Sequence, residues 1–296
     1  GSLRVVRVGR DGRLLAVSQQ FPRAALLTSS LAAAWHVLLL GAARLDLAGP
    51  PSAPPYRLRL YVLDPKNLAV LASTSLGRGE ELELSATGTA PARTIASTGG
   101  ALVAIDRHQL GPRVTTLVRF APFVAQHVAA DRSLGLAVVS LLRAGATGRG
   151  DAGRIEVIDP ADGRVLSKRS LGSGLSVQSL VAAGDRVAVA GGAGPATTVS
   201  IYELPSLDEA VAQSDVPAVL ESERLAATTG NIVIASALTQ VACLDVRNGE
   251  VVASTSTDGS SALSLGALVP LAGQKAAYDA VTSAGLGELR APPACS

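Results

Sequence analysis

Residues 153–172 read Gly-Arg-Ile-Glu-Val-Ile-Asp-Pro-Ala-Asp-Gly-Arg-Val-Leu-Ser-Lys-Arg-Ser-Leu-Gly, and their pattern returns twice more with its spacing kept. Ile155 and Val157 alternate with Arg154 and Glu156, the period-2 pattern of a half-buried strand. Asp159-Pro160-Ala161-Asp162-Gly163 supplies turn chemistry, because Asp and Pro favour turn entry and Gly accepts positive φ. Val165 starts the return strand, so the unit is a β-hairpin. With Asp64, Asp159 and Asp245 as origins, Val70, Val165 and Val251 share one offset, and Leu60, Ile155 and Val241 share another. Gly77 and Gly172 share a third, and Gly259 slips by one. Self-similarity of this kind indicates a repeat architecture.

Outward from these hairpins, the remaining strands fall into groups of four. Leu3–Val8 and Arg13–Val17 form a hairpin around Gly12; strands near Ala24–Thr28 and Trp35–Gly41 follow. A Pro-rich loop, Gly49–Pro55, precedes the Arg57–Leu63 strand. Asp106 is expected at a turn, where Asp64 and Asp159 stand. Ala144–Gly153 reads as a loop, and Pro205–Val216 as a polar excursion with a short helix over Ser206–Gln213. The carboxyl end supplies two strands, Ala262–Leu271 and Lys275–Thr282, without a hairpin, whereas the amino end supplies a hairpin without its two strands. Joined, they complete a four-stranded unit. The expected fold is therefore an all-β β-propeller of six four-stranded blades, closed by pairing of the terminal strands. Anchors about fifty residues apart suit such blades; seven blades of about forty residues are the alternative.

The run Glu156–Leu166, with Val157-Ile158-Asp159-Pro160, Gly163 and Val165, resembles YVTN-type and quinoprotein-like repeats. Cys243–Ala253 resembles the late strands of WD-type repeats. The likeness covers about three blades and lacks a WD dipeptide, a Gly-His pair and regular blade aromatics, so it implies the fold and no named subfamily.

Gly1-Ser2 reads as an expression scar, and 3–296 as one propeller domain; with no methionine anywhere, the chain is expected to be a piece of a longer protein. No run of eighteen apolar residues occurs, which argues against direct membrane insertion. A net charge of +2 argues against a general nucleic-acid binder, and aromatics at 3% leave too few stacking platforms for single strands or a quinone cofactor. Residues 1–148 hold 16 Arg and Lys against 8 Asp and Glu, and 149–296 hold 10 against 16. That asymmetry is either a steering device for a partner or an ordinary solvated surface.

The chemistry-bearing residues do not combine. Only three asparagines are present, too few for the oxygen cage of a lactonase-like calcium site. His36, His108 and His127 stand apart from one another without ligand spacing. His127 with Ser140 and Asp131 has the residue types of a nucleophilic triad, but no serine lies in a nucleophile elbow. Gly99-Gly100 and Gly191-Gly192 lack the Lys-Ser or Lys-Thr of a phosphate loop. No enzyme, cofactor or metal is therefore expected.

What remains is surface. Trp35 and His36, Arg57, Arg59 and Tyr61 on one face of their strand, and Arg4 and Arg7 brought near by ring closure form a candidate patch for a protein or peptide partner. The expected function is a non-enzymatic scaffold or recognition domain of a larger protein or complex, working through the rim loops Gly49–Pro55, Ala144–Gly153 and Pro205–Val216. A small-ligand or enzymatic propeller acting at the central channel is the alternative. Cys243 aligns with Val62 and Val157, so it is either a small apolar core residue or the partner of Cys295 in a disulfide. A disulfide implies an extracytoplasmic location; without one the chain is expected in the cytoplasm.

Overall fold

The computed structural model describes residues 2–9, 13–22, 24–46, 48, 50, 53–80, 82–86, 94–108, 111–131, 134–143, 152–173, 176–192, 197–216, 224–227, 232–237, 240–256, 267–270, 277–282 and 285–290. The regular elements among them are β-strands. At the amino end β1 (Ser2–Leu3) pairs with β4 (Phe21–Pro22), and β2 (Val6–Val8) with β3 (Leu14–Val17). Antiparallel meanders follow. Sheet I comprises β5 (Ala24–Ala34), β6 (Val37–Leu45), β7 (Tyr56–Leu63) and β8 (Val70–Gly79). Sheet II comprises β9 (Glu83–Ala86), β10 (Thr94–Ser97), β11 (Ala101–His108) and β12 (Gly111–Arg119). Sheet III runs through β13 (Phe123–Ala130), β14 (Ala137–Arg143), β15 (Ala152–Ile158) and β16 (Val165–Ser173). Sheet IV runs through β17 (Ser176–Ala183), β18 (Arg186–Gly192), β19 (Thr197–Glu203) and β20 (Glu209–Val216). Sheet V holds β21 (Arg224–Ala227), β22 (Ile232–Ala237), β23 (Gln240–Asp245) and β24 (Glu250–Ser256). Sheet VI holds three strands, β25 (Ala267–Pro270), β26 (Ala277–Thr282) and β27 (Gly285–Arg290).

The first strands of successive sheets lie side by side, β5 against β9, β9 against β13, β13 against β17 and β17 against β21. Sheets I to IV thereby form four consecutive blades of a propeller, with these strands innermost. Alternation explains the cores. Leu58, Leu60 and Val62 of β7 pack with Leu84, Val103 and Ile105 of sheet II. Leu63 and Tyr61 point the other way, onto Val5, Phe21 and Leu3 of the amino-terminal segment.

Turn geometry repeats with the sequence. Asp64, Asp159 and Asp245 each accept, through Oδ1, the N–H of the residue two positions on, Lys66, Ala161 and Arg247, at 2.7, 2.8 and 2.9 Å. Asn67, Asp162, Ser206 and Asn248 accept likewise from Ala69, Arg164, Asp208 and Glu250. The residue four after each of the three aspartates, and four after Glu203 at the matching place in sheet IV, is left-handed: Leu68, Gly163, Leu207 and Gly249 have φ of 60°, 80°, 63° and 70°. At Gly163 there is no room for another residue, because a Cβ would stand 2.4 Å from the Leu117 carbonyl oxygen of β12.

Several expectations are corrected. Asp106 lies inside β11, paired with Arg113, because this hairpin runs on to His108 opposite Gly111 before it turns. Pro205–Val216 holds no helix; its greater part is β20, paired with β19. An outer strand has solvent beside it, so its polarity imitates a loop. Sheet VI has a third strand, β27, where two strands were expected. Trp35 and His36 are the turn between β5 and β6, and the second strand begins at Val37. Among the described residues, β2–β3 is a sheet of its own and shares no strand with sheet VI.

Candidate functional site

The inner strands are clasped in one direction. Leu84 N–H donates to Ser30 Oγ at 3.0 Å, Ala130 N–H to Ser85 Oγ at 3.0 Å, and Leu225 N–H to Ser179 Oγ at 3.1 Å. Val128 N–H donates to Glu83 Oε2 at 2.8 Å, and the His127 imidazole lies 3.7 Å from the same carboxylate. Register breaks precede two of these serines, between Ala25 and Ser30 and between Val177 and Ser179. An extra residue in one strand re-aims the side chains that follow it. Sequence alternation alone does not reveal these links.

The residue types of a nucleophilic triad are not assembled as one. Ser140 is fully buried and accepts the backbone N–H of His127 at 3.0 Å. Asp131 accepts Leu134 N–H through Oδ1 at 3.0 Å, within its own turn.

The seven expected partner-binding residues separate into different places. Arg57, Arg59 and Tyr61 do share one face of β7. At the far end of sheet I, Arg57 pairs with Asp46 at 2.6 Å, and Arg78 binds the same carboxylate. The hydrogen bond from Arg57, with both guanidinium charges, holds the Asp46 carboxyl below its ordinary value. Arg78 also donates to the Pro54 carbonyl at 3.2 Å and Asp46 N–H to that of Pro55 at 2.8 Å, pinning the described end of the Pro-rich loop. Arg59 lies 5.9 Å from the Tyr61 ring centroid, and Tyr61 packs on Phe21 at 4.8 Å. Arg7 donates to the Lys66 carbonyl at 3.0 Å, and Arg4 is exposed beside Val5.

Trp35 and His36 stand at the opposite end of sheet I from Arg57, roughly 23 Å away at the rise of an extended strand. The three expected loops are also divided. In a meander the connections after the second and third strands lie at opposite ends, so 49–55 and 144–153 leave from one rim and the turn after β19 from the other. Residues 49, 51, 52 and 144–151 lie outside the described residues.

The Trp35 end of sheet I borders a cleft of about 340 Å³ between the first two blades. One wall is Trp35, Val37, Val62, Leu71 and Ala72; the other is Arg107, His108, Gly111 and Pro112. It is the open mouth of the seam whose interior is Leu60, Val103 and Ile105, and Trp35 is half-buried against that core. Arg107 and His108 are exposed, and no acidic residue lines the cleft among the described residues. Trp35 and His36 have φ of 52° and 62°. A two-residue hairpin turn with both φ positive favours Asn-Gly, and a bulky residue there costs about 1–2 kcal/mol. The chain thus keeps an aromatic side chain at this rim against the preference of the turn. Trp35 stands out in the sequence, but nothing there points to the opposite wall, which lies seventy residues on.

Cys243 is buried and disulfide-bonded, and the chain's other cysteine, Cys295, lies outside the described residues. Among the described residues no helix is long and apolar enough to cross a membrane, and no three His, Cys, Asp or Glu side chains gather as a metal site.

The ring of meanders is that of a β-propeller, and solved structures share it. The chain is similar to a hydrazine synthase of Kuenenia stuttgartiensis, with a TM-score of 0.65 and 14% identity over 97% of this chain and 89% of that one. It is similar to the Dos1 propeller at a TM-score of 0.62 and 12% identity, covering 96% and 72%. Apo AztD from Citrobacter koseri gives 0.51 and 11%, covering 79% and 60%. At these identities the likeness is one of fold. No family model matches the chain, and no curated protein matches it in sequence.

Proposed function

We propose that the chain is a non-enzymatic recognition propeller, one domain of six four-stranded blades, that binds a protein or peptide at the rim carrying the Trp35–His36 turn. The observation that carries this reading is the cleft of about 340 Å³ beside a tryptophan held in a left-handed turn. Backbone conformations kept against local preference cluster where a protein binds something. Binding sites favour a concave, largely apolar surface with a few polar groups, which describes this cleft. Recognition is thereby assigned to one seam between blades instead of three loops.

Ring closure belongs to the same proposal. Val5, Phe21 and Leu3 cover the face of sheet I that sheet II leaves free, where the last blade of a closed ring would lie. A Cys243–Cys295 bridge would fasten the carboxyl end to sheet V and suits an oxidising compartment. A mass of the intact chain two hydrogens below its reduced form is the expected result.

Display of random peptides against the intact chain, followed by amide-exchange footprinting of the selected binders, tests the reading. Protection of 35–37, 71–72 and 107–112 is the expected outcome. Protection confined to the inner strands would replace this reading with a ligand bound in the central channel.

A further inference from the structure

We propose that the cleft between sheets I and II receives one large apolar side chain whose neighbour in the bound peptide is a carboxylate, so that the recognised element is a short acidic-apolar segment of a protein partner. The inference rests on the recognition reading above and adds the chemistry of the ligand.

Size sets the first limit. At about 340 Å³ the cleft lies at the low end of ligand sites, suited to one side chain and not to a large cofactor. Its sheet I wall is apolar throughout, from the Trp35 indole to Val37, Val62 and Ala72. At the lip Leu71 is 58% exposed. Covering such a side chain is favourable in proportion to the area removed from water.

Charge sets the second limit. Arg107 stands on the face of β11 that carries Val103 and Ile105 into the seam, so it belongs to the mouth of the cleft and not to the outer surface. No described carboxylate pairs with Arg107, and His108 adjoins it. An apolar side chain seated against Trp35 therefore leaves its backbone beside a guanidinium. Arginine binds carboxylates through paired N–H donors, which favours Glu or Asp next to the anchor. At an exposed mouth this attraction is modest and screened by salt.

Trp35 is the only tryptophan of the chain, so its fluorescence reports on the cleft directly. Three blocked peptides serve as probes, acetyl-Gly-Leu-Glu-Glu-Gly-amide, its Gln-Gln counterpart, and the acidic peptide with Ala in place of Leu. The first is expected to bind and shift the emission, and the second to bind roughly three- to tenfold more weakly at about 50 mM salt, a gap that narrows at about 0.5 M. The Ala peptide is expected to be the weakest. Arg107→Gln is expected to erase the difference between the first two peptides. Equal affinity for the first two peptides, or no emission change with any of the three, overturns the inference. If display-selected peptides still protect 35–37 and 107–112 but carry no acidic residue, this inference falls and the recognition reading stands. If they protect other surfaces, both fall.

Discussion

Two kinds of turn in this propeller treat the same backbone demand in opposite ways. At Asp159–Gly163 every position carries the residue its conformation asks for: an aspartate to accept N–H groups, and a glycine where φ reaches 80°. At Leu68 and Leu207 the equivalent left-handed position holds a leucine, and at Trp35–His36 two bulky residues occupy a turn built for Asn-Gly. The leucines explain themselves, since Leu68 is fully buried against Leu40 and Leu63, and Leu207 lies in the core between sheets III and IV. Burial of a leucine, worth about 1.5–3 kcal/mol, outweighs a left-handed cost of about 1–2 kcal/mol. Trp35 is only half-buried and His36 is exposed, so packing offsets less of the same cost there.

Breaking the leucine anchor should have the largest effect. Leu68→Ala is expected to lower stability by about 2–4 kcal/mol, seen as a clear fall in the thermal midpoint. Leu68→Gly sharpens the comparison, because it loses the same packing but recovers about 1 kcal/mol of backbone strain. It should therefore unfold at a higher temperature than Leu68→Ala, the reverse of the order in a strand or helix. Gly163→Ala comes next, at about 1–3 kcal/mol, since its φ and the Leu117 carbonyl oppose the added methyl together. A variant as stable as the parent would mean that the turn shifts freely.

A smaller effect is expected from the aspartate that opens the sheet V turn. The Asp245 carboxyl is held below its ordinary value of 3.8, first by the Arg247 hydrogen bond, against the opposing effect of burial. A carboxyl with a depressed folded value adds stability above its unfolded value and loses it as pH falls through the folded one. Asp245→Asn should accordingly flatten the acid side of a thermal-midpoint profile below about pH 4 and leave its slope at neutral pH unchanged. The smallest change is His36→Gly, which relieves an exposed left-handed residue and should stabilise by about 0.5–1 kcal/mol. A loss of stability there would show that His36 is held by a contact that outweighs its strain.

Most of the fold was legible because the turns are written in residues that have few other reasons to stand together. Asp159, Asp162 and Gly163 give direction, spacing and handedness at once, and Asp64 and Asp245 repeat them. The failures have physical causes. The aliphatic pattern Leu31–Ala34 runs into Trp35 without a turn residue, so a strand was the natural reading. β20 reads as polar in sequence and is the outermost strand of its sheet, and Gly285–Arg290 was missed. The cleft was illegible for a deeper reason. Its walls come from β5–β8 and β11–β12, and only the placing of one blade against the next brings them together.

The clasps between inner strands bear on how such a chain can evolve. In each, a backbone N–H of one blade donates to a serine hydroxyl of the blade before it, Leu84 to Ser30, Ala130 to Ser85 and Leu225 to Ser179. Every residue except proline carries the donating group, so the clasp itself, unlike the packing beside it, places almost no demand on which amino acid supplies it. Neighbouring blades can therefore differ in the residue that donates while the link is kept, as Leu84, Ala130 and Leu225 do.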